Sequence, residues 1–254
     1  MAWSPLADER LDAVNERITL LQKKDGLTFG TDAFLLAAYL RPEPYGRAAE
    51  LGTGTGIVSL LAAAREKYAR IYAFEVQESF AEMAQRNAEG NALSERVLVR
   101  HADVRDLTAA DTEGEIEAVF ANPPYMRTDS GKANASDAKY IARHEVCGDI
   151  RDFCACARRL LKHGGKFYCV YRPDRLSELM AAMRENRLEP KTMCLVHGDE
   201  QSEPSMLLLC AVKGAAPSLR MAPPLLLHTA DTRGMRARPL TPRAQRVYDT
   251  MNLE

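Results

Sequence analysis

Short strand-like and helix-like runs alternate through the middle of this chain, and that alternation limits the folds open to it. Ala48 to Leu51 reads as a strand, Ile57 to Glu66 as a helix, Arg70 to Phe74 as a strand, Glu78 to Asn91 as a helix and Val97 to Arg100 as a strand. Strands joined through helices return to the sheet in the same direction, so the pattern predicts a parallel sheet. A fourth apolar run, Ile116 to Ala121, leads directly into Asn122-Pro123-Pro124-Tyr125. A helix at Ile150–Leu161, a fifth strand at Lys166–Tyr171 after Gly164-Gly165, and a helix at Asp174–Asn186 follow. Two last strands, near Lys191–His197 and Met206–Val212, flank a short polar turn and predict an antiparallel hairpin. The expected architecture is α/β and doubly wound, a seven-stranded, mostly parallel sheet closed by a terminal antiparallel hairpin.

Length and composition fit one enzyme-sized unit. With 254 residues and 46% hydrophobic content the chain can bury a full core. No run approaches the length of a membrane span, and Asp8, Glu9 and Arg10 interrupt any secretory signal, so a cytoplasmic protein is expected. Six cysteines, at 147, 154, 156, 169, 194 and 210, form no paired C-x-x-C set, and the five histidines are scattered; no metal site is expected. The expected divisions are an N-terminal cap segment over 1–45, a core over 46–213 and a basic extension over 214–254. Leu6 to Leu21 mixes charged and apolar residues, and Gln22-Lys23-Lys24-Asp25-Gly26 reads as a turn. Thr31 or Asp32 can cap a helix at Ala33–Leu40, which Pro42 stops. From Gly214 onward six arginines stand against Asp231, Asp249 and Glu254, which suits either phosphate contact or a solvated helix face.

Two motifs carry chemistry. Prolines 123 and 124 remove two amide donors and stiffen the backbone, so the Asn122 side-chain oxygen and the Pro123 carbonyl form a rigid pair of acceptors for one planar –NH2 group. Tyr125 offers a ring face to a planar substrate. Taken alone, the tetrapeptide also fits a stiff turn. Upstream, Glu50-Leu51-Gly52-Thr53-Gly54-Thr55-Gly56 sits between a strand and a helix, where glycines let the backbone turn tightly beside a ligand. Glu75 ends the second strand, nineteen residues beyond Gly56, where it can accept from ribose hydroxyls; Val76 follows it. Asp103 and Val104 follow the third strand, where a carboxylate or backbone amide can meet an adenine ring, although Asp103 equally suits a turn cap.

In order, these pieces resemble the class I S-adenosylmethionine-dependent methyltransferases, with their Rossmann-like sheet. The segment Lys24-Asp25-Gly26-Leu27-Thr28-Phe29-Gly30-Thr31-Asp32-Ala33-Phe34-Leu35-Leu36, and Ala142-Arg143-His144-Glu145 further on, look like the bacterial tRNA1(Val) adenine-37 N6-methyltransferases. The resemblance implies S-adenosylmethionine as cofactor, held by Thr31, Asp32, Glu50, Gly52, Thr53, Gly54, Gly56, Glu75, Val76, Asp103, Val104 and Asn122. It implies Asn122, Pro123, Pro124 and Tyr125 as the catalytic corner, and adenine N6 in tRNA as the acceptor, with no obligate protein partner. Two other readings stand beside it, a glutamine N5-methyltransferase acting on release factors and a non-catalytic RNA-binding protein on the same scaffold. Only about fifty residues precede Gly52, too few for the separate helical domain of the glutamine enzymes.

Overall fold

The computed structural model describes residues 3–24, 30–123 and 148–253. It begins with an antiparallel hairpin, β1 (Glu9–Ala13) and β2 (Thr19–Lys23), that stands apart from the main sheet. Gln22 and Lys23, expected in a turn, are instead the last two residues of β2. The buried Gln22 donates to Asp12 Oδ2 across the hairpin at 2.6 Å, which satisfies a polar side chain that otherwise marks a loop.

Helix α1 (Thr31–Tyr39) follows, with Gly30 rather than Thr31 or Asp32 at its N-cap. Its far end is closed by Lys67, whose buried ammonium donates to the carbonyls of Ala37 at 2.8 Å, Ala38 at 3.3 Å and Leu40 at 2.6 Å. Those are carbonyls that the end of a helix leaves without internal donors.

Strand β3 (Glu43–Leu51), helix α2 (Ile57–Ala64), strand β4 (Tyr68–Glu75), helix α3 (Glu78–Gly90) and strand β5 (Val97–His101) give the predicted alternation, and β6 (Ile116–Ala121) occupies its predicted range. After it come α4 (Ile150–Leu160), β7 (Leu161–Tyr171), α5 (Leu176–Glu185), β8 (Leu188–His197) and β9 (Pro204–Lys213). The sheet runs β5-β4-β3-β6-β7-β9-β8. Strands β3 to β7 are parallel, whereas β9 lies antiparallel to both β7 and β8. Two short additions from the tail, β10 (Arg220–Met221) and β11 (Leu225–Leu226), pair in parallel with β8 and bring the sheet to nine strands where seven are expected. Two-residue strands carry no alternation to read.

Side chains alternate across the pleat and divide the core in two. Ala48, Ile71, Ala73, Ala118 and Phe120 face α1, α2 and a last helix, α6 (Pro242–Thr250). Ala49, Leu51, Tyr72, Phe74, Val119 and Ala121 face α4 and α5. Helix α6 packs on α1 through a stacked Phe34–Tyr248 pair with ring centroids 4.4 Å apart, and Ala244, Val247 and Met251 are buried with it. The tail's arginines are partly spent inside the protein. Arg233 and Arg238 both donate to the buried Asp199 carboxylate, chiefly Arg233 holding it far below the usual range, and Arg243 donates to the Pro223 and Pro224 carbonyls. Arg220, Arg236 and Arg246 remain at the surface.

Candidate active site

The sheet places two loop starts side by side. Leu51 at the end of β3 pairs with Ala121 at the end of β6 and with Phe74 on β4. Connections leave β3 toward β4 on one side while β6 lies on the other, so a crevice opens at this reversal of strand order. Gly52 to Gly56 and Asn122 both enter it.

Backbone hydrogen bonds shape the glycine loop. The Gly52 and Thr53 amides both donate to the Phe74 carbonyl at 2.9 Å, and the Gly54 amide donates to Glu75 Oε2 at 2.8 Å. Gly54 has φ +55, and a Cβ there would meet no atom of the described residues within 4 Å, so these leave the backbone bare on the side a ligand would occupy. Gly56 caps α2 with φ +86, and a Cβ would come within 3.3 Å of Ala84 on α3. The loop's Thr55 carbonyl accepts from the fully buried Asn87 amide at 2.9 Å, and the same side chain exchanges two hydrogen bonds with Leu21 on β2. A cofactor with a ribose and a charged amino-acid end fits these features, a bare backbone beside an anchored carboxylate.

Each acid has defined partners. Glu75 is buried, and its Oε1 accepts from the Gln77 amide at 2.9 Å. The half-buried Val76 offers its carbonyl to His101 Nε2 at 2.9 Å. Asp103 accepts from the Arg105 amide at 2.8 Å and from the Arg105 guanidinium, which holds its carboxyl below the ordinary value. Val104 is buried, with its carbonyl accepting from Arg159 Nη2 at 2.7 Å.

Glu50 turns into the loop. Its Oε2 accepts from Thr53 Oγ1 at 2.6 Å, from the Ser59 amide at 3.0 Å and from the Ser59 hydroxyl. Burial pushes its carboxyl up to about 7 despite these donors. The folded protein therefore holds a proton that the unfolded chain releases above the ordinary carboxyl value of 4.5. The stabilisation from this group is complete below that value and is lost as pH rises through about 7. Comparison with Glu50→Gln by denaturant unfolding should show the variant gaining about 3 kcal/mol on wild type between pH 4.5 and 8. A constant difference across that range would show that Glu50 is ionised throughout.

Asn122 follows β6, and its Nδ2 donates to Asp32 Oδ2 at 2.8 Å. Asp32 sits in the first turn of α1 beside Thr31, and a Cβ at Gly30 would come within 2.6 Å of its Oδ1. Pro123 is buried. Pro124, Tyr125, Arg143, His144 and Glu145 lie outside the described residues. Sequence reasoning misses Ser59, Asn87, Arg105 and Phe153, whose ring would lie 3.4 Å from a Cβ at Gly52. An asparagine inside a helix and the Asp149-x-x-Asp152 capping box before Phe153 are the signals that point to two of them. Among the described residues no group of His, Cys, Asp or Glu is arranged for a metal, and no helix is long and apolar enough to cross a membrane.

Residues 23–186 match the family described as the methyltransferase small domain. A tRNA1(Val) (adenine(37)-N6)-methyltransferase of Phocaeicola vulgatus is 31% identical over 195 residues, 76% of this chain and 80% of that protein. A protein of the same name from Dyadobacter fermentans is 30% identical over 159 residues, which cover 63% of this chain and 64% of the relative, slightly under two thirds of its length. Among solved structures, a predicted O-methyltransferase from Agrobacterium tumefaciens superposes with a TM-score of 0.69 at 25% identity, covering 88% of this chain and 98% of that one. The Thermus thermophilus 16S rRNA N2 G1207 methyltransferase, bound to S-adenosylmethionine and guanosine, shares the fold with a TM-score of 0.57 at 19% identity, over 82% of this chain and 51% of that one. With the family match running over more than half of its length, on a sheet of the class I methyltransferase fold, the chain belongs to the methyltransferase small domain family and is a class I S-adenosylmethionine-dependent methyltransferase.

Proposed function

We propose that this enzyme methylates the exocyclic N6 of adenine in tRNA, at position 37 beside the anticodon of a valine tRNA, in the cytoplasm. The observation that carries the chemistry is Asn122 at the end of β6, one strand away from the glycine loop. The choice of tRNA rests on relatives bearing that name at 30 and 31% identity. Segments 1–45, 46–213 and 214–254 are taken as one working unit.

The backbone of Gly52, Thr53, Gly54 and Gly56 cradles the cofactor, with Glu75 accepting from its ribose and Val76, Asp103 and Val104 bordering its base. Thr31 closes the opposite end, and Glu50 braces the loop from within. S-adenosylmethionine, when bound, supplies an electrophilic methyl group. The protein's task is to align a weak nitrogen nucleophile. Asn122 Oδ1 and the Pro123 carbonyl accept the two amine hydrogens, favouring the pyramidal nitrogen that develops during transfer. An asparagine is an acceptor here, not a base, and the proton leaves after the methyl group arrives. Pro124 keeps the corner stiff, and Tyr125 stacks on the adenine, a contact worth about 1–3 kcal/mol in single-stranded nucleic-acid sites.

Incubation with labelled cofactor and separate pools of tRNA, rRNA, DNA and release factors tests the reading. N6-methyladenosine in unmodified tRNA supports it, and label in a release-factor glutamine with none in tRNA overturns it.

Glu75→Ala should weaken cofactor binding by about 1.5–3 kcal/mol, the range for a hydrogen bond to a charged group. Glu75→Gln keeps an oxygen for the Gly54 amide and should fall between the two. Calorimetric titration on folded protein decides it; unchanged affinity in Glu75→Ala removes the acid from the ribose site.

A further inference from the structure

We infer that Asp32 is a positioning residue that sets the direction of the Asn122 amide and thereby makes it an acceptor. This rests on the function proposed above. A carboxylate can only accept, so the 2.8 Å contact from Nδ2 assigns the nitrogen end of the amide to Asp32. The group is planar, and its oxygen consequently points away from that carboxylate. Turned the other way, it would set oxygen against Oδ2 and offer –NH2 to a substrate that is itself an amine. Both contacts would then be repulsive.

The arm that carries Asp32 is anchored well beyond the site. Asp32 lies in the first turn of α1, whose other end is held by Lys67 and whose middle is clamped by the Phe34–Tyr248 stack. The Tyr39 hydroxyl adds a hydrogen bond to the Thr192 carbonyl at 2.9 Å. A hydrogen bond between Asp32 and residue 122 thus joins a fixed helix to the end of β6, and it does so across ninety positions of sequence.

The test uses the full chain and four variants: Asp32→Ala, Asp32→Asn, Asn122→Ala and the double alanine. Single-turnover transfer to adenine in RNA, KM for the RNA and cofactor Kd by calorimetry are measured for each. Asp32→Ala should lower the rate by about 10²-fold, the order expected when a reacting group is misplaced. Its cofactor Kd should stay within about 3-fold of wild type, under 1 kcal/mol. Asp32→Asn, whose carboxamide oxygen still accepts from Nδ2, should keep most of the rate. In the Asn122→Ala background, Asp32→Ala should lower the rate no further, because its effect runs through the missing amide. Additive losses in the double variant, or a weakened cofactor Kd with an unchanged rate, would overturn the inference and make Asp32 a cofactor ligand. If wild type methylates no adenine in RNA, the proposed function fails, and the pair is judged by the Asn122 side-chain NH2 resonance. Slow exchange lost in Asp32→Ala then supports it, and equal exchange in both proteins overturns it.

Discussion

Replacing Asn122 by alanine should abolish nearly all methyl transfer while cofactor affinity stays near wild type. Removing one oriented hydrogen-bonding group from a reacting centre costs about 10²–10³ in kcat in comparable sites, and the glycine loop, built on Phe74, Glu50 and Glu75, does not depend on this side chain. Rates under saturating cofactor and RNA check it, with calorimetry for the cofactor. Full activity in Asn122→Ala would remove the residue from catalysis. On sequence alone an aspartate at this position looks tolerable, since it too accepts. The Asp32 contact reverses that expectation: Asn122→Asp sets two carboxylates at hydrogen-bonding distance, where they cannot both stay ionised without strong repulsion. Asn122→Asp should therefore be nearly as impaired at neutral pH, and adding Asp32→Asn should restore part of the rate by exchanging the partners.

The second large effect concerns the chain's end. A protein truncated after Pro239 should unfold more easily by about 3–6 kcal/mol, from exposing the core that Val247 and Met251 cover at 1.5–3 kcal/mol for each buried side chain. That is a large part of a total stability of about 5–15 kcal/mol. Cofactor binding should fall with it, because α6 supports α1. Denaturant unfolding and calorimetry of the truncated chain are the measurements. An unchanged unfolding midpoint with cofactor binding intact and RNA binding lost would make the tail an RNA-contacting appendage, the role its arginines suggest in sequence. Their partners say otherwise for Arg233, Arg238 and Arg243, which tie the tail to Asp199 and to its own backbone.

What the sequence reveals here depends on whether the signal is local. Strand β6 is a clean apolar run ended by Asn122-Pro123, and its limits are read to the residue. The β1–β2 hairpin escapes because Arg10, Asp12 and Gln22 break its apolar pattern, each satisfied by a partner on its own or the facing strand. Strand β3 starts earlier than expected, since Glu43-Pro44-Tyr45-Gly46 has no apolar alternation, and Tyr45 is 98% exposed. Gly164 and Gly165, expected to precede the fifth strand, lie inside β7. At the site, residue identities are legible while directions are not. Glu50 is legible as an acid beside the glycine loop, but its contacts with Ser59 and Thr53 are not, and Asp32 looks like a helix cap until Asn122 is found against it.

The place of β9 between β7 and β8 has a consequence for how the chain is made. Domains fold as they leave the ribosome, from the N-terminus onward. Strand β8 is synthesised before β9, yet among the described residues its only long neighbour in the sheet is β9. Through that interval β7 presents an open row of amides and carbonyls, the kind of edge that pairs with other chains, and β8 has nothing to dock on. Residues 204–213 fill both vacancies in one stroke, and α6, later still, covers α1. Nascent chains of this enzyme therefore close the sheet only once residues 204–213 are made, and cover α1 only after α6 is made.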